Sequence, residues 1–499
     1  MKNAVHHLLV VLIIISLSSL KVVSQVDDEF WFIAPEVNDE HGNAPDEGQP
    51  TYLRISTDSL AASVRVYQPA KNSDPIYEID NIPPFSTRSI KFRLDGTGDY
   101  DLNEIENTLH NYNGVLGNIS NKGIRIEATS DITAYYEIAA HYNREILSLK
   151  GENALGKEFY VPFQTEFDTD TRYDQVYSAI DIVATENNTN ITIEPTENIL
   201  IISSSGQTEH SGTYSVNLDA GETFSVVPFD QERDDNGLDG YEYAWGQGWD
   251  NDPWRVDRNR RLDGTKITAD KSIAVQTKDD LVNPPGGVDF VADQLVPVKN
   301  LGTEYIVNRG ELDVDREWAY VLATEDNTEV FKDGASQGFI NAGETLPIKI
   351  DDSVVKLSSQ DSSVYVYHVS GIHTSSQGNQ AGGAIVPTIS ECTGSTVVPF
   401  VRTTGQPFYI NLLVRDGAED DFILNGDPNL ITAADFETIP GPWNAATLDF
   451  SPITDVPVGT QSIIKNTEDV FHIGILNGLT DSYYGYFSEF QQISADVNM

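Results

Sequence analysis

The stretch Ala319–Gly334, AYVLATEDNTEVFKDG, decides the fold. Tyr320 and Leu322 alternate with Ala319, Val321 and Ala323, the polar cluster Thr324–Asn327 interrupts, and a second run from Thr328 to Phe331 ends at Asp333-Gly334. Alternating runs bounded by Asp, Asn and Gly read as strands with turns, here as a β-hairpin. The same words occur earlier as Ile182-Val-Ala-Thr-Glu-Asn-Asn-Thr-Asn-Ile191. Two more phrases follow in register: Ala220-Gly-Glu-Thr223 answers Ala342-Gly-Glu-Thr345, and Leu155-Gly-Lys-Glu-Phe-Tyr-Val161 answers Leu301-Gly-Thr-Glu-Tyr-Ile-Val307. Matched phrases in one order indicate internal duplication.

Weaker copies start at Tyr52 and at Asn411, which makes about four related units: 25–154, 155–300, 301–400 and 401–499. A further phrase, Thr265-Lys-Ile-Thr-Ala-Asp-Lys-Ser-Ile-Ala-Val275, recurs in shape at 123–135 and 355–365 and reads as a closing hairpin with a tight polar turn. The expected fold is therefore all-β, with antiparallel units arranged as tandem sandwiches or, as the alternative, as a propeller-like ring. A ring brings the first and last units together, whereas a linear array separates them.

Composition limits the function. Hydrophobic residues at 39% and aromatics at 10% supply a core despite a formal net charge of −46. With 31 basic residues against 77 acidic ones, the chain is a poor match for phosphate backbones, so nucleic acid is excluded as a partner, and anionic membrane surfaces are disfavoured. Lys2, the apolar run Leu8–Leu20 and the small residues before Gln25 read as a signal peptide, 1–24, cleaved after Ser24. No later run approaches the length of a membrane-spanning helix, so no membrane insertion is expected. The lone Cys392 allows no intramolecular disulfide, which in an exported protein favours a bacterial source.

At the phrases quoted above, together with Phe30-Trp-Phe-Ile-Ala-Pro-Glu36, the sequence resembles the N-terminal domain of the IgGFc-binding protein and its bacterial relatives. The resemblance covers nearly all of the chain after residue 24. It implies an exported, non-catalytic, β-rich binding or adhesive module, named after an animal mucus protein that binds antibody Fc. Bacterial relatives often end in a separate secretion and anchoring domain, and none is expected in the stretch from Phe490 to Met499. The expected location is secreted or cell-surface.

No chemistry-bearing motif stands out. The nine His are scattered without metal-ligand spacing, and no H-E-x-x-H, C-x-x-C, G-x-S-x-G or phosphate-binding Gly loop occurs. Paired carboxylates are too abundant to single any out. The departure from repetition is the insertion 229–262, between AGET of the second unit and its closing phrase. It carries Tyr241, Tyr243, Trp245, Trp249 and Trp254, half of the chain's six Trp among them. Loop aromatics on a rigid scaffold offer apolar area with a polar handle, so these five are the candidate ligand-binding residues. Asp234, Asn236 and Asp239 in RDDNGLDG are candidate calcium ligands, close-set oxygens around a Gly, although Trp245 stands where an EF-hand has its bidentate Glu. The function expected is a non-enzymatic binding or adhesion protein for an extracellular glycan or glycoprotein. A structural matrix or envelope component is the alternative, and a polysaccharide-acting enzyme a lower one.

Overall fold

The computed structural model describes residues 26–35, 51–93, 100–101, 116–140, 143–169, 177–229, 260–283, 289–313, 315–375, 378–389, 393–478, 483–488 and 490. Among them the regular structure is β-strand with a few short 3-10 turns. One pairing order recurs. In the first unit the sheet runs Tyr77–Ile82, Ala62–Tyr67, Ile124–Ala140, Thr51–Thr57, Thr87–Arg93. The second repeats it as Tyr214–Leu218, Thr189–Glu194, Lys266–Val282, Ser178–Ala184, Thr223–Val226. In each, a long strand pairs near its start with an entering strand, Asp27–Phe32 or Gly156–Tyr160, and near its end with a closing strand, Asn143–Ser148 or Asp289–Gln294.

The third and fourth units keep the order but break the long strand. Val354–Ser359 and Val364–Thr374 take its two halves in the third unit, Gln461–Asn466 and Phe471–Asn477 in the fourth. Asp361, at φ 62, sits at the third unit's break. One curved sheet thereby becomes two facing sheets.

Two hairpin readings are corrected by this pairing. Trp318–Ala323 pairs with Thr345–Lys349 and Val364–Thr374, whereas Thr328–Lys332 pairs with Ala335–Ile340 and Val354–Ser359. ATEDNT is thus a corner between two sheets. The true hairpin is the next one, turning at Asp333 and Gly334, both at positive φ as a two-residue turn of the favoured type demands. Likewise Lys266–Val282 runs through the expected polar turn as one strand. Its first half pairs with Thr189–Glu194 and its second with Ser178–Ala184, so the halves have separate partners instead of each other.

The corner explains why two phrases travel together. Asn188 and Asn327 adopt φ 56 and 58, a left-handed conformation that Asn tolerates. The Asn188 N–H donates to Asp219 Oδ1 and the Asn327 N–H to Asn341 Oδ1, while Ala220 N–H donates to Asn187 Oδ1 and Ala342 N–H to Asp326 Oδ1. Glu222 and Glu344 each accept from the backbone three residues earlier, at Asp219 and Asn341. Gly221 and Gly343 supply positive φ. The ATEDNT corner and the AGET turn therefore hold each other in place.

The units close a ring, the second of the two arrangements expected, although each unit by itself is sandwich-like. The closing strands Asn143–Ser148, Asp289–Gln294, Gly378–Ile385 and Tyr483–Tyr486 pack in succession, and the last returns to the first. They form a hub in which side chains alternate between two cores. Val291 faces the second unit's core, while Phe290 and Ala292 enter the first. Leu147 stays at home while Ile146 enters the fourth unit's core, and Tyr484 and Tyr486 enter the third. The closing strands of the first, second and fourth units thus insert into the preceding unit, cyclically, which explains why Asp289–Gln294 and Tyr483–Tyr486 are buried throughout. The entering strand does the same from the other side: Phe30 and Phe32 lie in the first core, Trp31 and Ile33 against Val183 and Ala274 of the second unit.

Carboxylates take the place of ladder carbonyls at this hub. Asp289 accepts from Ala381 N–H and Asp293 from Ile385 N–H, so these two strands run side by side in one direction. Glu145 reaches across to Gly383 N–H at 3.0 Å and also accepts from Ile146 and Tyr484. Gly382 permits the approach, since a Cβ there would stand 2.6 Å from the Tyr484 nitrogen.

Candidate functional site

The strand Thr223–Val226 leads toward 230–259, and the chain returns at Arg260 beside Ser178, whose hydroxyl donates to the Arg260 carbonyl at 3.1 Å. The equivalent strand of the first unit, Thr87–Arg93, is followed by a second long interval before Ile124. In the third unit the same connection is the short Ile350–Ser353, between Thr345–Lys349 and Val354–Ser359. Two adjacent units therefore carry extra chain at one position, at the end of the ring where the hub hairpins turn. The interval in the first unit was missed in the sequence. The signal was there: the spacing between Thr87–Arg93 and the phrase at 123–135 also exceeds that of the third unit.

The first unit's extra chain reaches its neighbour. Ile119-Ser120 pairs with Thr223-Phe224, and Leu116 joins Tyr177, Ala179, Leu200, Val227 and Phe229 in a small apolar cluster. Gly117, at φ 56, fits here because a Cβ would strike the Leu200 carbonyl oxygen at 2.1 Å. The hairpin Ile199–His210, which the third unit lacks, packs on the same cluster. A platform thus forms at the seam of the first and second units.

Charge is held tightly under the platform. Lys278 Nζ lies 3.8 Å from the Tyr177 ring centroid, and Asp181 accepts from Ser225 Oγ at 2.5 Å. Burial pushes the Asp181 carboxyl up, opposed by the Ser225 hydroxyl and by the Lys278 and Lys122 charges. Asp279 Oδ2 accepts from Gln164 Nε2 at 2.9 Å and Arg261 Nε at 2.5 Å, and Arg261 also reaches Thr169 Oγ1. The long strand bulges between Asp279 and Val282, with Leu281 at φ 52, a strained conformation for a branched side chain.

Among the described residues no group of three or more His, Cys, Asp and Glu could hold a metal ion. A triad-like row of ionisable groups among the described residues, Glu317–His368–Tyr484, has a 3.0 Å Glu317–His368 contact and a 2.9 Å His368–Tyr484 hydrogen bond but is sealed: Glu317 and His368 are both fully buried. It serves the seam between third and fourth units.

The residues singled out in the sequence, Asp234, Asn236, Asp239, Tyr241, Tyr243, Trp245, Trp249 and Trp254, lie outside the described residues, as does Cys392. Residues 146–469 match the family described as IgGFc binding protein, which is most of the chain and spans parts of all four units. The chain belongs to that family. No curated protein matches it. For this member of the IgGFc-binding family, no helix among the described residues is long and apolar enough to cross a membrane.

Proposed function

We propose that this IgGFc-binding family member is an exported, non-catalytic binding or adhesion protein that recognises an extracellular glycan or glycoprotein through the insertion-bearing end of its ring. The observation that supports this most is the placement of extra chain at the same position in two adjacent units. Four units share one scaffold, and selection for folding alone gives no reason to lengthen one connection in two neighbours. Loops on a rigid frame are where recognition concentrates. The family description adds a protein partner to the ligands to be tested. The second-unit segment brings Tyr241, Tyr243, Trp245, Trp249 and Trp254, whose rings suit stacking on sugar or protein surfaces, and Asp234, Asn236 and Asp239 offer oxygens for a structural calcium ion.

The test is a glycan and protein array, immunoglobulin Fc included, with the mature chain and with a variant in which 230–259 is replaced by Ile350–Ser353. Ligand capture by the mature chain and its loss in a variant of unchanged melting temperature is the expected result. Equal capture by both removes the second-unit segment from the site. Turnover of a captured polysaccharide would replace the binding reading with an enzymatic one.

A further inference from the structure

One ion pair in the hub is arranged for more than attraction. Lys150 Nζ stands 2.7 Å from Asp293 Oδ1, with the two side chains 0% and 3% exposed. They belong to different units and are separated by 143 residues. The Lys150 main chain is fixed by Gln294 Oε1, its Nζ also donates to the Ser148 carbonyl at 3.3 Å, and the Phe490 ring lies 5.2 Å away. We propose that Lys150 and Asp293 react with each other to form an intramolecular isopeptide bond that covalently ties the first unit to the second.

Four observations support the step. The hydrogen-bonded pair places Nζ near the roughly 3–3.5 Å from the carboxyl carbon that a near-attack arrangement requires. Burial pushes the Lys150 ammonium down and the Asp293 carboxyl up, each toward the neutral form that the reaction consumes. Glu145, held by Gly383 N–H two residues along the strand that also holds Asp293, places a second buried carboxyl nearby, pushed well up by burial and also by the Asp293 charge. The Ile385 N–H, 2.8 Å from Asp293 Oδ2, is a fixed donor for the oxyanion that develops there, and Gln294 N–H, also at 2.8 Å, donates to Oδ1.

The balance is simple. One proton passes along the Nζ–H···Oδ1 bond, giving amine and carboxylic acid. The Nζ lone pair attacks Cγ, the Cγ–Oδ1 bond breaks, and Oδ1 leaves with that proton and a second from Nζ as water. The product is a neutral secondary amide with one N–H, and its carbonyl, Oδ2, still accepts from Ile385. No oxidant or other reactant is consumed. An uncharged amide also removes the desolvation cost of a buried ion pair.

Peptide mapping of the mature chain by mass spectrometry tests this. The expected result is a branched peptide joining Lys150 to Asp293, with the whole chain lighter by one water, and restoration of that water in Lys150→Arg and in Asp293→Ala. Unbranched peptides carrying Lys150 and Asp293 at full mass in the folded wild-type chain overturn the proposal and leave a plain ion pair. Loss of water without a branch, a succinimide at an Asp, overturns it too. Because the decisive measurement is on the wild-type chain, a variant that fails to fold does not blunt the test.

Discussion

The rim and the hub of the ring solve the same problem, joining strands of one repeated unit, by opposite means. At the rim, the ATEDNT corner and the AGET turn recur almost word for word in the second and third units, because backbone conformation dictates the residues: Asn at positive φ, Gly at positive φ, and side-chain oxygens for three N–H groups. At the hub, NREILS, DFVADQ, GNQAGGAI and YYGY occupy the same topological place with no shared pattern. Each hub strand answers to the neighbour it enters, and the neighbours differ. A repeat therefore stays legible where local geometry sets the residue, and diverges where a partner does.

The contrast predicts that hub substitutions cost more than rim ones. The largest expected effect is Gly382→Ala, whose Cβ would press the Tyr484 backbone nitrogen at 2.6 Å and part the third and fourth units. A loss of about 3 kcal/mol by denaturant unfolding is expected for such overpacking against backbone. A loss under about 0.5 kcal/mol would show that the hub yields and is no tighter than the rim.

Next comes Glu145→Ala, which leaves the Gly383 N–H without its acceptor in a dry interior and is expected to cost about 2 kcal/mol. Glu145→Gln keeps an acceptor and should cost less. Burial pushes the Glu145 carboxyl well up, so the wild type, but not the Gln variant, should lose stability as the pH rises from the ordinary glutamate range toward that raised value. Equal melting curves for the Ala and Gln variants would remove the hydrogen-bonding role.

At the rim, Asn327→Val places a β-branched residue at φ 58 and should cost about 1–2 kcal/mol, with Asn188→Val matching it and Asn327→Gly near neutral. Unequal costs at 188 and 327 would break the claim that the two corners are equivalent. A pH-dependent effect, absent in acid, is expected at Asp263, next to the Gly264–Gly343 contact of the second and third units. Burial pushes its carboxyl from 3.8 to about 6, against the Phe163 N–H that donates to it. The folded state then holds the proton more tightly than the unfolded one, so the stabilisation is full below pH 3.8 and disappears as the pH climbs through about 6. Across that window the melting temperature of Asp263→Asn should gain on wild type, and a constant difference would remove the assignment.

The sequence by itself determined the class of fold, the duplication and the family, because alternation, turn residues and repeated phrases are local properties. It also marked the 229–262 insertion, since length and composition need no structure. Tertiary structure alone decided which strands pair. AYVLATEDNTEVFKDG reads equally well as a hairpin or a corner, since a short polar turn permits both, and the partners at Thr345–Lys349 and Val354–Ser359 settle it. It decided, too, that the units form a ring, because long-range contacts close it: Ile146 in the fourth core, and Gln461 Nε2 on the Thr57 carbonyl. The pairing of Lys150 with Asp293 was equally hidden. Two charged residues 143 positions apart carry no mark in sequence of meeting in a place without water.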